Sequence, residues 1–322
     1  MPALPLVPRL RPGLAPWLAG LWLVCAASAA MAQAGAAFTV CVADDNAPLS
    51  YQVKGQPRGL DVRIAQAAAA ELGRPLKVMV FESDYEYESR LTHEVNAMLS
   101  LGVCDAASGF PLITDDLGPP GRPNARPPEY PGGAKRKRER PFVPLGTLTG
   151  SRAYSAVALG VALRDPGKPM ASLAELGERK LGVVSGTLAG SVAQMWRSGT
   201  LRSRLVSLTQ KEEPLDELAG PAPRFDAIIM PLALFDGWKM RHPDSKVAAA
   251  QWRRPIGVNL GFVTLAGATD ARNALNTVIG RALADGQMAR WAAEEGMSWL
   301  PPIAPDVGPG PGIGDLGRLA GD

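Results

Sequence analysis

An alternation of strand-like and helix-like segments near the start of the chain restricts the possible folds more than any other feature. Residues Phe38–Ala43 form an apolar run typical of a buried strand, and a second such run spans Leu76–Phe81. Between them, apolar residues recur at helical spacing from Leu60 to Leu72, and a second helical pattern runs from about Tyr85 to Leu101. A third short strand then ends near Gly109. This order predicts right-handed βαβ crossovers and a parallel sheet covered on both faces, which is an α/β fold.

The ends of these predicted strands carry candidate ligand-binding residues. In open parallel sheets, ligands bind beyond the carboxyl ends of the strands. Two of those ends lie here at 44–50 and 108–110. The candidates in this part of the chain are Asp44, Asn46, Tyr51, Asp61, Ser108 and Gly109.

Four of these candidates also have a structural interpretation. Asp44 and Asn46 could simply cap the turn that ends the first strand. Tyr51 could be an edge aromatic side chain rather than an apolar lid over a ligand. Asp61 stands at the start of a predicted helix, where a carboxylate is favourable beside the helix dipole.

Residues 1–32 are predicted to be a signal peptide. Arg9 and Arg11 form a basic start, residues 14–27 an apolar core, and residues 30–32 (Ala-Met-Ala) a small-x-small cleavage site. The alternative is a single membrane anchor, although the apolar core is short for a span of about 20 residues. We therefore expect an exported, periplasmic protein whose mature chain begins at Gln33.

Cleavage would leave a nearly neutral protein. The whole chain has 34 Lys and Arg residues against 31 Asp and Glu residues, a net charge of +3. Removal of Arg9 and Arg11, with no acidic residue, gives 32 against 31, or +1. This balance gives no reason to expect nucleic-acid binding.

Two cysteines, Cys41 and Cys104, would remain after cleavage. An even number in an oxidising compartment favours a disulfide, and adjacent parallel strands could bring the two together. Such a bridge could stabilise the fold by about 4 kcal/mol through chain entropy. The alternative is two separate buried thiols that behave as small hydrophobic side chains.

The same segment resembles a known family. A first strand, a polar turn with Pro48 and Tyr51, and the sequence GLDV opening an Ala-rich helix that closes in ELG are similar to family 3 periplasmic solute-binding proteins. Cys41 and the Cys104-Asp105 pair resemble the subgroup encoded with periplasmic quinoprotein dehydrogenases. The resemblance extends, more weakly, from Phe38 to about Pro301. It implies the type II periplasmic binding protein fold, in which each of two lobes has a mostly parallel sheet flanked by helices.

The resemblance also implies a domain organisation. Lobe I would comprise residues 33–152, lobe II residues 153–254, and residues 255–303 would return to lobe I. Two segments depart from the family pattern, an insertion within lobe I and a C-terminal tail. Residues 117–150, rich in proline and glycine and containing the basic run KRKRER, are expected to form a long mobile surface loop, and residues 304–322 a disordered tail. The basic run could alternatively dock an acidic partner or a membrane surface.

A second candidate site lies at Ser185, Gly186 and Thr187, which form a turn before a predicted helix. The first amides of a helix lack partners and carry partial positive charge, so such a terminus suits a carboxylate or another anion. The alternative is an ordinary N-cap, worth about 1 kcal/mol. The resemblance favours the ligand role, because this turn matches the ligand turn of the second lobe.

The sequence offers little basis for catalysis. It contains no phosphate-binding glycine loop, no dinucleotide fingerprint and no nucleophile elbow. The two histidines, His93 and His242, lack the cysteine or acid spacing typical of a zinc site. We therefore expect a protein that is not an enzyme and that has no cofactor and no metal.

The chain departs from the family at two charged positions. Amino-acid-binding members hold the ligand carboxylate with an arginine shortly after the third strand, where this chain has Thr114, Asp115 and Asp116. They hold the ligand ammonium group with an aspartate. In this chain the corresponding position falls on or near Pro231. Because a buried charge needs a partner, an ordinary zwitterionic amino acid is a poor candidate ligand.

Three functions are compatible with these features. The first is a monomeric periplasmic solute-binding protein that captures a small polar or anionic ligand in an interlobe cleft for an ABC permease. The second is an accessory protein of a periplasmic quinoprotein (methanol or alcohol) dehydrogenase, acting through protein contacts. The third is a secreted dehydratase on the same fold, for which the available general acids are Asp44, Asp45, Asp61 and Glu82.

Overall fold

The computed structural model describes residues 36–83, 90–165, 167, 170–312 and 314–321. The predicted signal peptide and the first residues of the second predicted helix lie outside the described residues. Thirteen strands occur in the described part of the chain: β1 (Phe38–Ala43), β2 (Tyr51–Val53), β3 (Gln56–Arg58), β4 (Leu76–Phe81), β5 (Ala106–Pro111), β6 (Asn124–Ala125), β7 (Val143–Pro144), β8 (Leu148–Gly150), β9 (Ser155–Leu163), β10 (Leu181–Val184), β11 (Leu205–Leu208), β12 (Ala227–Pro231) and β13 (Ala248–Leu265).

Eight α-helices occur in the same described ranges. They are α1 (Leu60–Glu71), α2 (Leu91–Ser100), α3 (Leu188–Met195), α4 (Pro214–Ala219), α5 (Leu232–Arg241), α6 (Thr269–Ala284), α7 (Gln287–Glu294) and α8 (Asp315–Leu319). Short 3-10 helices include Leu173–Leu176.

One sheet runs through the described parts of both lobes, in the order β11-β10-β12-β9-β13-β5-β1-β4, with β8 also paired to β13. The pairs β11–β10–β12 and β5–β1–β4 are parallel, whereas β9 and β13 pair antiparallel with each other and with their neighbours. We refer to the parallel strands β5, β1 and β4 with their helices as lobe I, and to β11, β10 and β12 with theirs as lobe II. The long strands β9 and β13 join the lobes, so the predicted α/β architecture is confirmed.

Each lobe has its own buried cluster. In lobe I, Phe38 and Leu60 pack with Phe262 and with residues of α6. In lobe II, Leu181 and Trp196 pack with residues of β9 and β12. Each half of the sheet therefore has its own buried cluster, and β9 and β13 connect the two.

Local backbone geometry fixes the start of α1. Gly59 precedes the helix with φ 113°, a region that favours glycine. A β carbon there would lie 2.6 Å from the carbonyl carbon of Leu49, because the chain turns closely over this point. The amides of Leu60 and Asp61 donate to the carbonyl oxygens of Pro48 and Leu49. The turn and the helix are therefore locked together.

The predicted disulfide is confirmed. Cys41 on β1 and Cys104, just before β5, are bonded, with their Cα atoms 5.7 Å apart. Both sulfur-bearing side chains belong to a buried cluster in lobe I. The bridge therefore ties two neighbouring parallel strands of lobe I.

The insertion at 117–150 differs from the predicted mobile loop. Residue Leu148 is buried and β8 adds to the main sheet through β13. Arg140 is only 4% exposed, and its guanidinium donates to the carbonyl oxygens of Ala134 and Lys135. Arg126 likewise donates to the carbonyl oxygens of Lys137 and Arg140. Guanidinium–carbonyl hydrogen bonds thus replace much of the apolar burial that the composition lacks.

The C-terminal segment also differs from its prediction as a disordered tail. It contains α8, which packs against α3 in lobe II, and Leu319 is fully buried. Two leucines, Leu316 and Leu319, in a glycine-rich segment are too few to establish a periodic signal, so the sequence alone did not predict this docking.

Candidate ligand-binding site

A cavity of about 520 Å³ lies at the carboxyl ends of β10 and β12 in lobe II. Its walls are mainly apolar, and its polar side chains are Thr187, Gln210, Glu212, Glu213 and Arg241. The other lining residues are Val157, Leu159, Val184, Leu188, Ala189, Pro214, Leu215, Ile228, Ile229, Met230, Pro231, Leu234, Trp238 and Ile256. Because Val157 and Leu159 lie on β9 and Ile256 on β13, the cavity adjoins the strands that join the lobes.

The turn before α3 forms one side of this cavity. The Thr187 hydroxyl accepts a hydrogen bond from the Gly190 amide at 3.1 Å and donates to the Val184 carbonyl at 2.7 Å, so it is a true N-cap. Leu188 and Ala189, whose amides begin the helix, also line the cavity. The cap and the ligand interpretations are therefore compatible, since the cap uses Gly190 and leaves the first turn beside the cavity.

Charged side chains of both signs lie at the cavity. Glu212 accepts a hydrogen bond from the Thr209 amide and forms an ion pair with Arg224, and these contacts lower the pKa of Glu212 to about 2. Arg241 is exposed and lies 3.8 Å from Asp45 of lobe I. The charged side chains therefore lie at the rim, and the walls between them are apolar.

Lobe I reaches the cavity region through the loop after β1. A β carbon on Gly237 of α5 would lie only 2.5 Å from the Ala47 carbonyl oxygen, so glycine permits close contact between helix and loop. Within the loop, the Asn46 amide donates to Ser50 at 2.8 Å, and Asp44 accepts from the Gln52 side chain at 3.1 Å. Both residues therefore take part in hydrogen bonds within and beside the turn that ends β1.

Asp61 lies in the interior of lobe I and is fully buried. The Tyr154 hydroxyl donates to its Oδ1 atom at 2.6 Å. Burial raises the pKa of Asp61 to about 7, while the hydrogen bond from Tyr154 and the nearby Ser108 hydroxyl oppose the rise. Its Oδ2 atom has no hydrogen-bond partner among the described residues.

The Asp61 carboxyl group supports the turn at the end of β5. Gly109 has φ 64°, and a β carbon there would lie 3.1 Å from Asp61 Oδ2 and 3.6 Å from Asn46 Nδ2. Burial raises the pKa of Tyr154 well above its usual value, and a hydrogen bond from the Gly109 backbone opposes that rise. Asp61 and Tyr154 therefore position Ser108 and Gly109 from the inside.

Tyr51 is held by lobe I itself. Its hydroxyl donates to Glu295 at 2.7 Å, and burial together with Glu295 raises its pKa to about 12. Arg63 also bonds Glu295, and bonds Glu294 at 2.7 Å. These contacts fit the interpretation of Tyr51 as an anchored edge aromatic better than that of a lid.

Of the nine predicted ligand residues, Thr187 lines the cavity. Ser185 and Gly186 are exposed in the same turn. The six lobe I residues lie elsewhere: Asp44 and Asn46 in the loop after β1, Tyr51 on β2, Asp61 on α1, and Ser108 and Gly109 on β5. Sequence reasoning missed the apolar wall at 228–231 and the α5 residues Leu234, Trp238 and Arg241. A buried strand and an apolar helix face give the same pattern whether they border a core or a cavity.

Two kinds of feature are absent from the described residues. No group of three or more His, Cys, Asp or Glu side chains suited to a metal ion occurs within those ranges. None of the helices there has the length and apolar character required to span a membrane.

Comparisons with known proteins establish the fold. No family model matches the chain, and no curated protein matches it. Among solved structures, a second substrate-binding domain assigned to an amino acid ABC transporter of Streptococcus pneumoniae is 16% identical, covers 80% of this chain and 99% of its own, and gives a TM-score of 0.56.

Two further structures are similar over the same share of the chain. The substrate-binding domain 2 of Lactococcus lactis GlnP, in an open conformation, is 17% identical, with 80% and 95% coverage and a TM-score of 0.53. The L-cystine solute receptor of Neisseria gonorrhoeae, unliganded and open, is 19% identical, with 80% and 92% coverage and a TM-score of 0.51. The chain therefore has the fold of type II periplasmic binding protein domains.

Proposed function

We propose that this protein is an exported, monomeric solute-binding protein that captures a small ligand between its lobes and presents it to an ABC permease. The observation that carries this proposal is the cavity of about 520 Å³ at the carboxyl ends of β10 and β12. Parallel sheets bind ligands at this edge, and the cavity adjoins the two joining strands around which lobes close. The similar structures from three bacteria are described as substrate-binding domains or a solute receptor.

The walls of the cavity support a ligand with a small polar or anionic end and an apolar body. The first amides of α3 and the Arg241 side chain supply donors at the rim. Ile228, Met230 and Trp238 supply apolar surface. Pro231 has neither a charge nor an amide hydrogen, so the end of β12 offers no side chain to pair with an ammonium group.

Lobe I would supply the opposing surface. In this proposal Asp44, Asn46, Ser108 and Gly109 approach the ligand when the lobes close. Ser185 and Gly186 flank it from lobe II. Asp61 and Tyr51 act indirectly, because their polar groups are already bonded to Tyr154 and Glu295.

A thermal-shift screen of the mature protein against small carboxylates, amides and amines tests this function. A ligand at 100 times its Kd would stabilise the folded state by about 2.7 kcal/mol and raise Tm. The substitution Val184→Trp would fill the cavity and abolish the shift, since Val184 lines it. The matched control Val53→Trp changes a valine that is 46% exposed on β2, and should leave the shift intact.

The exposed basic residues of the insertion favour a second candidate function, an accessory role for another protein. Lys135, Arg136 and Arg138 are exposed on a segment held in place by Arg140. This charged surface would suit an acidic partner such as a periplasmic quinoprotein dehydrogenase. Co-purification with such an enzyme, together with no thermal shift from any compound of the panel, would favour this accessory role over ligand capture.

A further inference from the structure

The C-terminal segment is anchored at one end where β13 enters lobe I. Asn259 on β13 is buried, and its Nδ2 atom donates to the carbonyl oxygens of Ile303, Pro305 and Asp306 at 2.7, 3.1 and 3.0 Å. Its Oδ1 atom accepts from the Ile303 amide at 3.0 Å. One buried amide side chain thus makes four hydrogen bonds to three residues of the segment, Ile303, Pro305 and Asp306.

The same segment then pairs with the chain that leaves β5. Gly308 forms a parallel bridge with Ile113. The Thr114 amide donates to the Gly308 carbonyl at 2.8 Å, and the Gly308 amide donates to the Leu112 carbonyl at 3.2 Å. Leu112 is buried, so this second contact also belongs to the body of lobe I.

The far end of the segment is anchored in lobe II. Leu319 of α8 is fully buried and belongs to the same apolar cluster as Trp196. The Arg197 amide donates to the Ala320 carbonyl at 3.1 Å, and Arg254 donates to the Gly321 carbonyl at 2.6 Å. Apolar burial and two hydrogen bonds therefore hold this end.

The connection between the two anchors is short and rich in proline and glycine. Residues 308–314 have the sequence GPGPGIG. A chain extends by at most about 3.6 Å per residue, so seven residues span no more than about 25 Å. Proline further restricts the conformations of such a tether.

We propose that residues 303–321 form a strap, a third connection between the lobes that limits how far they separate. Its lobe I contacts, Leu112 to Thr114, continue directly from β5, which carries Ser108 and Gly109. Its lobe II anchor packs on α3, whose first turn lines the cavity. Opening of the lobes about β9 and β13 changes the distance between these anchors, and a short tether resists that change. The strap acts in the same way whatever ligand the protein binds.

Two variants of the mature protein test the strap by small-angle X-ray scattering without ligand. The first ends the chain after Gly310, which removes α8. The second inserts about nine Gly and Ser residues between Gly310 and Pro311, which keeps α8 but adds slack to the tether. The control places the same insertion between Lys54 and Gly55, in the exposed turn of the β2–β3 hairpin.

We expect the insertion after Gly310 to increase the radius of gyration and the maximum dimension relative to the wild type and the hairpin control, each compared after allowance for the added residues. The truncation should increase them at least as much. Far-UV circular dichroism identifies a truncated protein whose lobe II has unfolded, and the insertion variant then decides the question. A scattering profile of the insertion variant equal to that of the hairpin control would overturn the strap, whether or not any ligand is ever found.

Discussion

The turns at the carboxyl ends of the two sheet halves are supported in opposite ways. In lobe I, Ser108 and Gly109 rest on a fully buried carboxyl group, Asp61, which is itself held by Tyr154. In lobe II, the turn at Thr187 is held by a local cap and opens onto a cavity. The lobe I turn is therefore supported by buried side chains, whereas the lobe II turn borders the cavity.

This difference has an energetic consequence. Burying a carboxyl group with one unbonded oxygen destabilises its ionised form. The group that supports this turn therefore lowers the stability of lobe I. The Thr187 cap has no such penalty, because both hydrogen bonds of its hydroxyl are satisfied by backbone groups three residues away along the chain. Lobe I should consequently be sensitive to backbone changes and to pH, and lobe II much less so.

The largest expected effect is on the backbone that carries Asp61. The substitution Gly59→Ala would place a β carbon against the Leu49 carbonyl at φ 113°, and should lower the free energy of unfolding by more than about 4 kcal/mol. The matched control Gly55→Ala also has positive φ (74°) but open space, and should lose only about 1 kcal/mol. Urea denaturation measures both. Equal losses would show that the turn is not locked to α1.

The next largest effect is expected from removal of the disulfide. Because the disulfide lies in lobe I alone, its loss should affect the two lobes differently. Replacing Cys41 and Cys104 together by serine should lower the free energy of unfolding by about 4 kcal/mol. Hydrogen exchange followed by mass spectrometry should show lost protection in β1 and β5, with α3 and β10 unchanged. Reduction of the wild-type protein provides the control and should give the same pattern. Uniform loss of protection across both lobes would contradict the idea that their cores are separate.

The elements of lobe I could be predicted because their signals are local. The alternation of β1, α1 and β4 could be predicted from the spacing of apolar residues. The disulfide could be predicted because its two cysteines lie on or next to strands expected to be neighbours. The burial of Asp61 could not be predicted in this way. It depends on Tyr154, 93 residues later in the chain, whereas the sequence around Asp61 indicates only a favourable helix start.

The insertion, the tail and the cavity show the same limit. Arg126 and Arg140 order the insertion through backbone carbonyls, and Leu319 docks in a cluster formed by distant residues. Composition records only that these segments are rich in proline, glycine and charge. The sequence identified Pro231 as a position without a charge. The cavity beside it is formed by packing between helices and strands, and no local sequence pattern specifies that packing.

The pH dependence of stability tests the buried carboxyl group. A carboxyl group whose folded-state pKa is raised to about 7 binds more protons in the folded than in the unfolded protein between about pH 4 and pH 7. Stability should therefore fall as pH rises through this window and level off above it, by roughly 2 to 3 kcal/mol between pH 5 and pH 8.

Comparison with Asp61→Asn isolates this group from others, such as Asp236, whose pKa is also raised by burial. The variant should lack the fall that the wild type shows, as measured by urea denaturation at the two pH values. Asp44→Asn, at an exposed position, serves as the control and should follow the wild type. Parallel curves for the wild type and Asp61→Asn would mean that the carboxyl group does not titrate in this range.

The smallest expected effect falls on the lobe II turn. Thr187→Ala removes the oxygen that accepts from Gly190 and should lower the free energy of unfolding by about 1 kcal/mol, equally at pH 5 and pH 8. Thr187→Ser keeps the oxygen and should recover most of this loss. Because the cap and the cavity share this turn, the alanine variant should also weaken any ligand found in the thermal-shift screen, while serine should not. A loss on Thr187→Ala as large as that of Gly59→Ala would mean that the two turns are braced alike, and the contrast between the lobes would fail.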